Sequence, residues 1–83
     1  MSIDTFSGVV NTAGDFETIA SLSSITLASG TTYRIYVSGQ CQIKIGDYVV
    51  PKFNCEFDFK AGSEDIKINT GANDITLGVL ELE

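Results

Sequence analysis

Tyr33-Arg34-Ile35-Tyr36-Val37-Ser38-Gly39-Gln40-Cys41-Gln42-Ile43-Lys44-Ile45 is the stretch on which the fold turns. Tyr33, Ile35 and Val37 alternate with Arg34 and Tyr36, and Cys41, Ile43 and Ile45 alternate with Gln42 and Lys44. A period of two places each apolar set on one face of a half-buried antiparallel strand and each polar set on the other. Ser38-Gly39 reads as a turn between two strands, and Gly46-Asp47 as the end of the second.

The same period continues toward the C-terminus. Phe53, Cys55, Phe57 and Phe59 alternate with Asn54, Glu56 and Asp58, up to a turn at Lys60-Ala61-Gly62-Ser63. Ile66 and Ile68 follow, then a turn at Gly71-Ala72-Asn73-Asp74. A tight hairpin over 60–64 would set Asp58 opposite Lys67 on the outer face and Phe57 opposite Ile68 on the inner one. The cross-strand charge pair would favour that register by about 0.2–1 kcal/mol. In the last segment Ile75, Leu77 and Val79 share one parity while Leu80 and Leu82 take the other. A bulge at Gly78-Val79 would absorb the change; the alternative is a strand covered on both faces by a neighbour or a partner chain.

Toward the N-terminus the pattern weakens. Asp15 can cap a helix carrying Phe16, Ile19 and Ala20, but the Ser and Thr residues over 15–28 disfavour it. Two short strands are expected there, near 16–20 and 24–28. Residues 1–14 are rich in Ser, Thr and Gly with Ile3, Phe6, Val9 and Val10 among them. This N-terminal arm either pairs as an edge strand or lies on another subunit, and 15–83 is expected to form a single domain.

Composition agrees with strands throughout. Val, Ile, Thr, Tyr and Phe occupy 31 of 83 positions, and most of the 8 glycines fall between period-two segments. Seven or eight short strands at this spacing imply an all-β chain, a small antiparallel β-sandwich of the jelly-roll type. A chain this short buries only about 60–65% of the surface its unfolded form exposes, so its core is thin.

Charge and chemistry narrow the function. With 5 basic and 11 acidic residues, net −6, the chain repels a phosphate backbone, and nucleic acid is not an expected partner. No stretch approaches the roughly 18 apolar residues of a membrane helix. The start has no basic n-region, and a chain made in the cytoplasm without a signal peptide is expected. There is no His, no phosphate loop and no nucleophile elbow, so neither an enzyme nor a cofactor is expected. Asp47, Glu64, Asp65, Asn73 and Asp74 lack any defined calcium spacing and read as turn formers, so no metal site is expected.

Three groups remain as candidates. Cys41 and Cys55 should lie roughly opposite on neighbouring strands, either as a disulfide closing a loop of about 15 residues, worth about 3 kcal/mol, or as two buried thiols. The absent signal favours the thiols. Arg34 and Tyr36 project from the face opposite Tyr33 and Ile35 and form a candidate ligand surface for a sugar ring. Tyr48-Val49-Val50-Pro51 is an apolar run in which Pro51 forbids a regular central strand. With Ile3, Phe6, Val9 and Val10 of the arm, these four residues are the expected interface with another chain.

The stretch Leu27-Ala28-Ser29-Gly30-Thr31-Thr32-Tyr33-Arg34-Ile35-Tyr36-Val37-Ser38-Gly39, with Ile45-Gly46-Asp47 and Phe59-Lys60-Ala61-Gly62-Ser63, resembles small jelly-roll modules of bacteriophage virions. These include head decoration proteins, head fibres and tail-fibre domains, and the resemblance spans 15–83 in pattern. It implies a virion accessory protein, homo-oligomeric and often trimeric, that an N-terminal arm attaches to other virion proteins, with no catalytic residues. The same Gly-Thr-x-Tyr and Ala-Gly-Ser turns occur in carbohydrate-binding sandwiches, which leaves a small carbohydrate-binding module as the alternative.

Overall fold

The computed structural model describes residues 5–82. Six strands and one short helix follow in the order β1 (Thr5–Val10), β2 (Glu17–Thr18), α1 (Ile19–Ser23), β3 (Thr32–Ile45), β4 (Tyr48–Lys60), β5 (Ile66–Asn69) and β6 (Ile75–Leu82). All six strands belong to one antiparallel sheet with β3 as its spine. Along one edge β3 carries β4 for its whole length. Along the other, β6 pairs with residues 32–38 and β5 with residues 42–45, so the sheet forks at 39–41. β1 extends the first branch from β6 and β2 extends the second from β5.

Alternation along β3 sets the two faces. Tyr33, Ile35, Val37, Cys41 and Ile43 are buried, and Arg34, Tyr36, Gln40 and Gln42 are exposed. The curled sheet closes its inner face over these residues together with Ile66, Ile68, Ile75, Leu77, Val79 and, from α1, Ile19. No ladder spans the inner face, so it is held by the burial of apolar surface, worth about 25 cal/mol per Å².

Several expectations are corrected. Ser38-Gly39 is not a turn. It is a bulge inside one 14-residue strand, where Ser38 and Gly39 oppose the single residue Asn54. Gly39 has φ +112, and a Cβ there would meet Cγ2 of Ile75 at 2.8 Å, so the position requires glycine. Its N–H donates to Oδ1 of Asn54 at 2.7 Å, and Asn54 itself takes φ 47. The apolar parity 33-35-37-41-43 runs through the bulge on β3. On β4 it breaks: Cys55, Phe57 and Phe59 face inward, whereas Phe53 pairs with Gln40 and faces out.

The expected hairpin of 60–64 does not form. Asp58 pairs with Arg34 and Phe57 with Ile35, because the two-residue loop Gly46-Asp47 folds β4 back onto β3. Lys67 lies opposite Lys44 and Thr18 instead. β6 needs no bulge at Gly78-Val79; it runs in unbroken register beside both β1 and β3, which leaves Leu80 on the outer face.

Residues 16–28 hold only the two-residue β2, and α1 replaces the expected strand. Thr18 caps it, its hydroxyl accepting the N–H of Ser21 at 3.2 Å, and Ser23 donates back to the carbonyl of Ile19 at 2.7 Å. The segment 24–28 is tied down by Tyr33, whose hydroxyl accepts the N–H of Ala28 at 2.8 Å and donates to the carbonyl of Thr26 at 3.4 Å. Side-chain bonds there take the place of a ladder, and with the bulge they reduce seven or eight strands to six.

Candidate functional site

The outer face of the sheet carries the side chains that the core leaves over. Across β1, β6, β3 and β4, one row runs Thr5, Leu80, Arg34, Asp58 and the next Ser7, Gly78, Tyr36, Glu56. Arg34 donates from Nε to Oδ1 of Asp58 at 3.0 Å and from Nη2 to Oδ2 at 3.4 Å, with Glu56 at 3.9 Å. The hydrogen bond and field of Asp58, with the weaker field of Glu56, hold the guanidinium proton more firmly than usual. Arg34 is therefore already bound within its own chain. Beside it Tyr36 is 41% exposed, its side chain lying over Gly78.

Beyond the bulge the outer row of β4 is apolar: Phe53, Pro51 and Val49. Phe53 is 66% exposed, Val49 44% and Tyr48, at the start of the strand, 68%. β4 pairs only with β3, so its other edge is free among the described residues. Pro51 supplies no N–H to that edge, and the Asn54 bulge bends it, two devices that discourage ladder growth. What the strand presents to a partner is side chains.

The other expected interface residues are spread out. Ile3 lies outside the described residues. Val10 is inside the core, Phe6 and Val50 are half-buried against it, and Val9 is 69% exposed on the outer face. The structure thus groups Val49 and Pro51 with Phe53, which the alternation of β4 assigns to the interior, while Tyr48, paired with Ile45, is exposed on the other side of the strand. The Asn54 bulge is the cause of that grouping, and no single-residue signal in the sequence marks it.

Cys41 and Cys55 are free thiols, and they are not directly opposite. The bulge sets Cys55 against Val37 and Cys41 against Lys52. Burial pushes the Cys41 thiol from 9.0 to about 11; the field of Cys55 adds to this and that of Lys52 opposes it. Such a thiol is protonated and unreactive at neutral pH.

Where the sheet forks, the outer face opens into a cleft of about 330 Å³. Gln40 and Gln42 of β3 form one side, Asn69 of β5 and Asn73 of the following turn the other, and Pro51 of β4 a wall. No charged residue lines it. Among the described residues no three His, Cys, Asp or Glu side chains gather as a metal set, and no helix is long and apolar enough to cross a membrane. No family model, curated protein or solved structure matches this chain.

Proposed function

We propose that this chain is a non-enzymatic assembly module that joins copies of itself, most concretely a bacteriophage virion accessory protein for capsid decoration, a head fibre or a tail component. The observation that carries the reading is the exposed apolar row Val49, Pro51 and Phe53 on a strand with a free edge, with Tyr48 exposed on the strand's other side. An exposed apolar row of this kind, with an exposed tyrosine on the other side of the same strand, is the sort of surface that marks contact with a partner. A thin core gains stability when assembly covers it. In this reading the curled sheet is the small jelly-roll sandwich of such modules, its two layers being two parts of one sheet. A trimer is the favoured state, and the virion the place.

Native mass spectrometry tests it. The expected spectrum is a discrete homo-oligomer, converted to monomer by joint Tyr48→Ser, Val49→Ser and Phe53→Ser with an unchanged circular dichroism spectrum. A wild-type monomer at tens of micromolar would overturn it.

A carbohydrate-binding module is the second reading, favoured by the exposure of Tyr36 on the outer face of the sheet. It requires that Tyr36→Ala abolish glycan retention without loss of stability.

A further inference from the structure

We infer that the cleft at the fork of the sheet is a binding site for a neutral, hydroxyl-rich ligand, an oligosaccharide by chemical class. The site is separate from the Arg34–Tyr36 surface and does not rest on the assembly reading. With no charged residue in it, the cleft offers no counter-charge to a phosphate, a carboxylate or a metal ion. A fully apolar ligand would strip water from several amides without replacing their hydrogen bonds.

What remains is a ligand that both donates and accepts. The side-chain amides of Gln40, Gln42 and Asn73 each have a carbonyl and an NH₂, and they make no hydrogen bond to another described residue. A sugar hydroxyl satisfies either end. Gln40 and Gln42 are two residues apart on the same face of β3, so their Cα atoms stand about 6.8 Å apart on a strand paired with β4.

The opposite side is equally fixed. Asn69 accepts the N–H of Gly71 at 2.8 Å and donates to the carbonyl of Gly14 at 3.0 Å, which locks the turn that holds Asn73. Pro51 forms an apolar wall, and Phe53, directly across from Gln40, stands exposed on the same face. Amides on two sides and the Pro51 ring as a wall suit a sugar, whose rim is polar and whose faces carry C–H groups. The volume lies at the lower end of ordinary ligand sites.

The test is a titration of the ¹⁵N-labelled full chain with maltotriose, cellotriose and chitotriose, with glycerol as a non-specific polyol. At least one trisaccharide should shift the side-chain NH₂ signals of Gln40, Gln42 and Asn73 together and saturably, at millimolar concentration. Gln42→Ala, and separately Gln40→Ala, should weaken that binding by about threefold to tenfold; both positions are exposed, so the fold is retained. Three outcomes overturn the inference: no shift of these signals with any trisaccharide, an equal shift with glycerol, or shifts confined to Arg34 and Tyr36. Failure of the assembly reading shows instead in the mass spectrum.

Discussion

Thr12 and Thr70 hold each other reciprocally: the hydroxyl of Thr70 accepts the N–H of Thr12 at 2.9 Å, and the hydroxyl of Thr12 accepts the N–H of Thr70 at 3.0 Å. Both residues are almost wholly buried. The clasp ties the segment after β1 to the turn between β5 and β6, next to the cleft. Each hydroxyl is the partner of a buried backbone donor. Thr70→Val keeps the shape and orphans the N–H of Thr12, at an expected cost of about 1–3 kcal/mol in urea unfolding. Thr12→Val should cost a similar amount. The double variant should cost less than the sum, because each substitution already disrupts the same pair.

Gly39 sets the fork. Gly39→Ala forces a side chain onto Ile75 in a backbone conformation that disfavours it, and should lower stability by about 2 kcal/mol or more. Asn54→Gly keeps the backbone conformation of the bulge and removes only the 2.7 Å bond, so its cost should be nearer 1 kcal/mol. Equal losses for the two variants in urea unfolding would contradict this account of the bulge.

Tyr33→Phe should cost about 1 kcal/mol, since it removes the partner of the Ala28 N–H without opening a cavity. Amide exchange should quicken at Ala28 and its neighbours while the pairing of β3 with β4 keeps its protection. Faster exchange throughout the sheet would mean that the hydroxyl supports the core and not the segment before β3.

Cys41 makes stability depend on pH in the alkaline range. The folded chain keeps its thiol protonated to about 11, whereas the unfolded chain releases the proton near 9.0. Between these values the unfolded state binds fewer protons, so stability is complete below pH 9 and falls as pH rises toward 11. The expected loss is about 3 kcal/mol at most. Cys41→Ala should flatten this part of the stability profile even though it lowers the plateau, and an unchanged slope would place the alkaline loss on other groups.

Which side chains face inward on β3 was legible, because Ile35, Val37, Cys41 and Ile43 obey one parity from end to end. That same unbroken parity is the mark of a single strand, but Ser38-Gly39 carries the composition of a turn. Composition cannot express the reason for Gly39, which is the nearness of Ile75 from a strand far along the chain. Phe53 was misplaced for a related reason: the change of face on β4 is caused by a bulge whose extra residue lies on β3. The short helix was hidden because its cap, Thr18, sits in a run of Ser and Thr that equally suits a loop. The cleft was illegible altogether, since Gln40, Gln42, Asn69 and Asn73 have ordinary surface chemistry until the fork gathers them.

The pairing of β1 with β6 has a temporal side. Thr5 meets Leu80, 75 positions later, and β1 has no other strand partner among the described residues. On a ribosome adding about 5–20 residues per second, the first strand waits roughly 4–15 s for its complement to be made. During that interval the β3–β4 hairpin, closed by two residues, can already be formed. The N-terminal branch is therefore the last part of the sheet to close and the part most exposed to mispairing between nascent copies. A molecule built on a hairpin spine and completed by its two ends begins folding locally and finishes by a long-range closure.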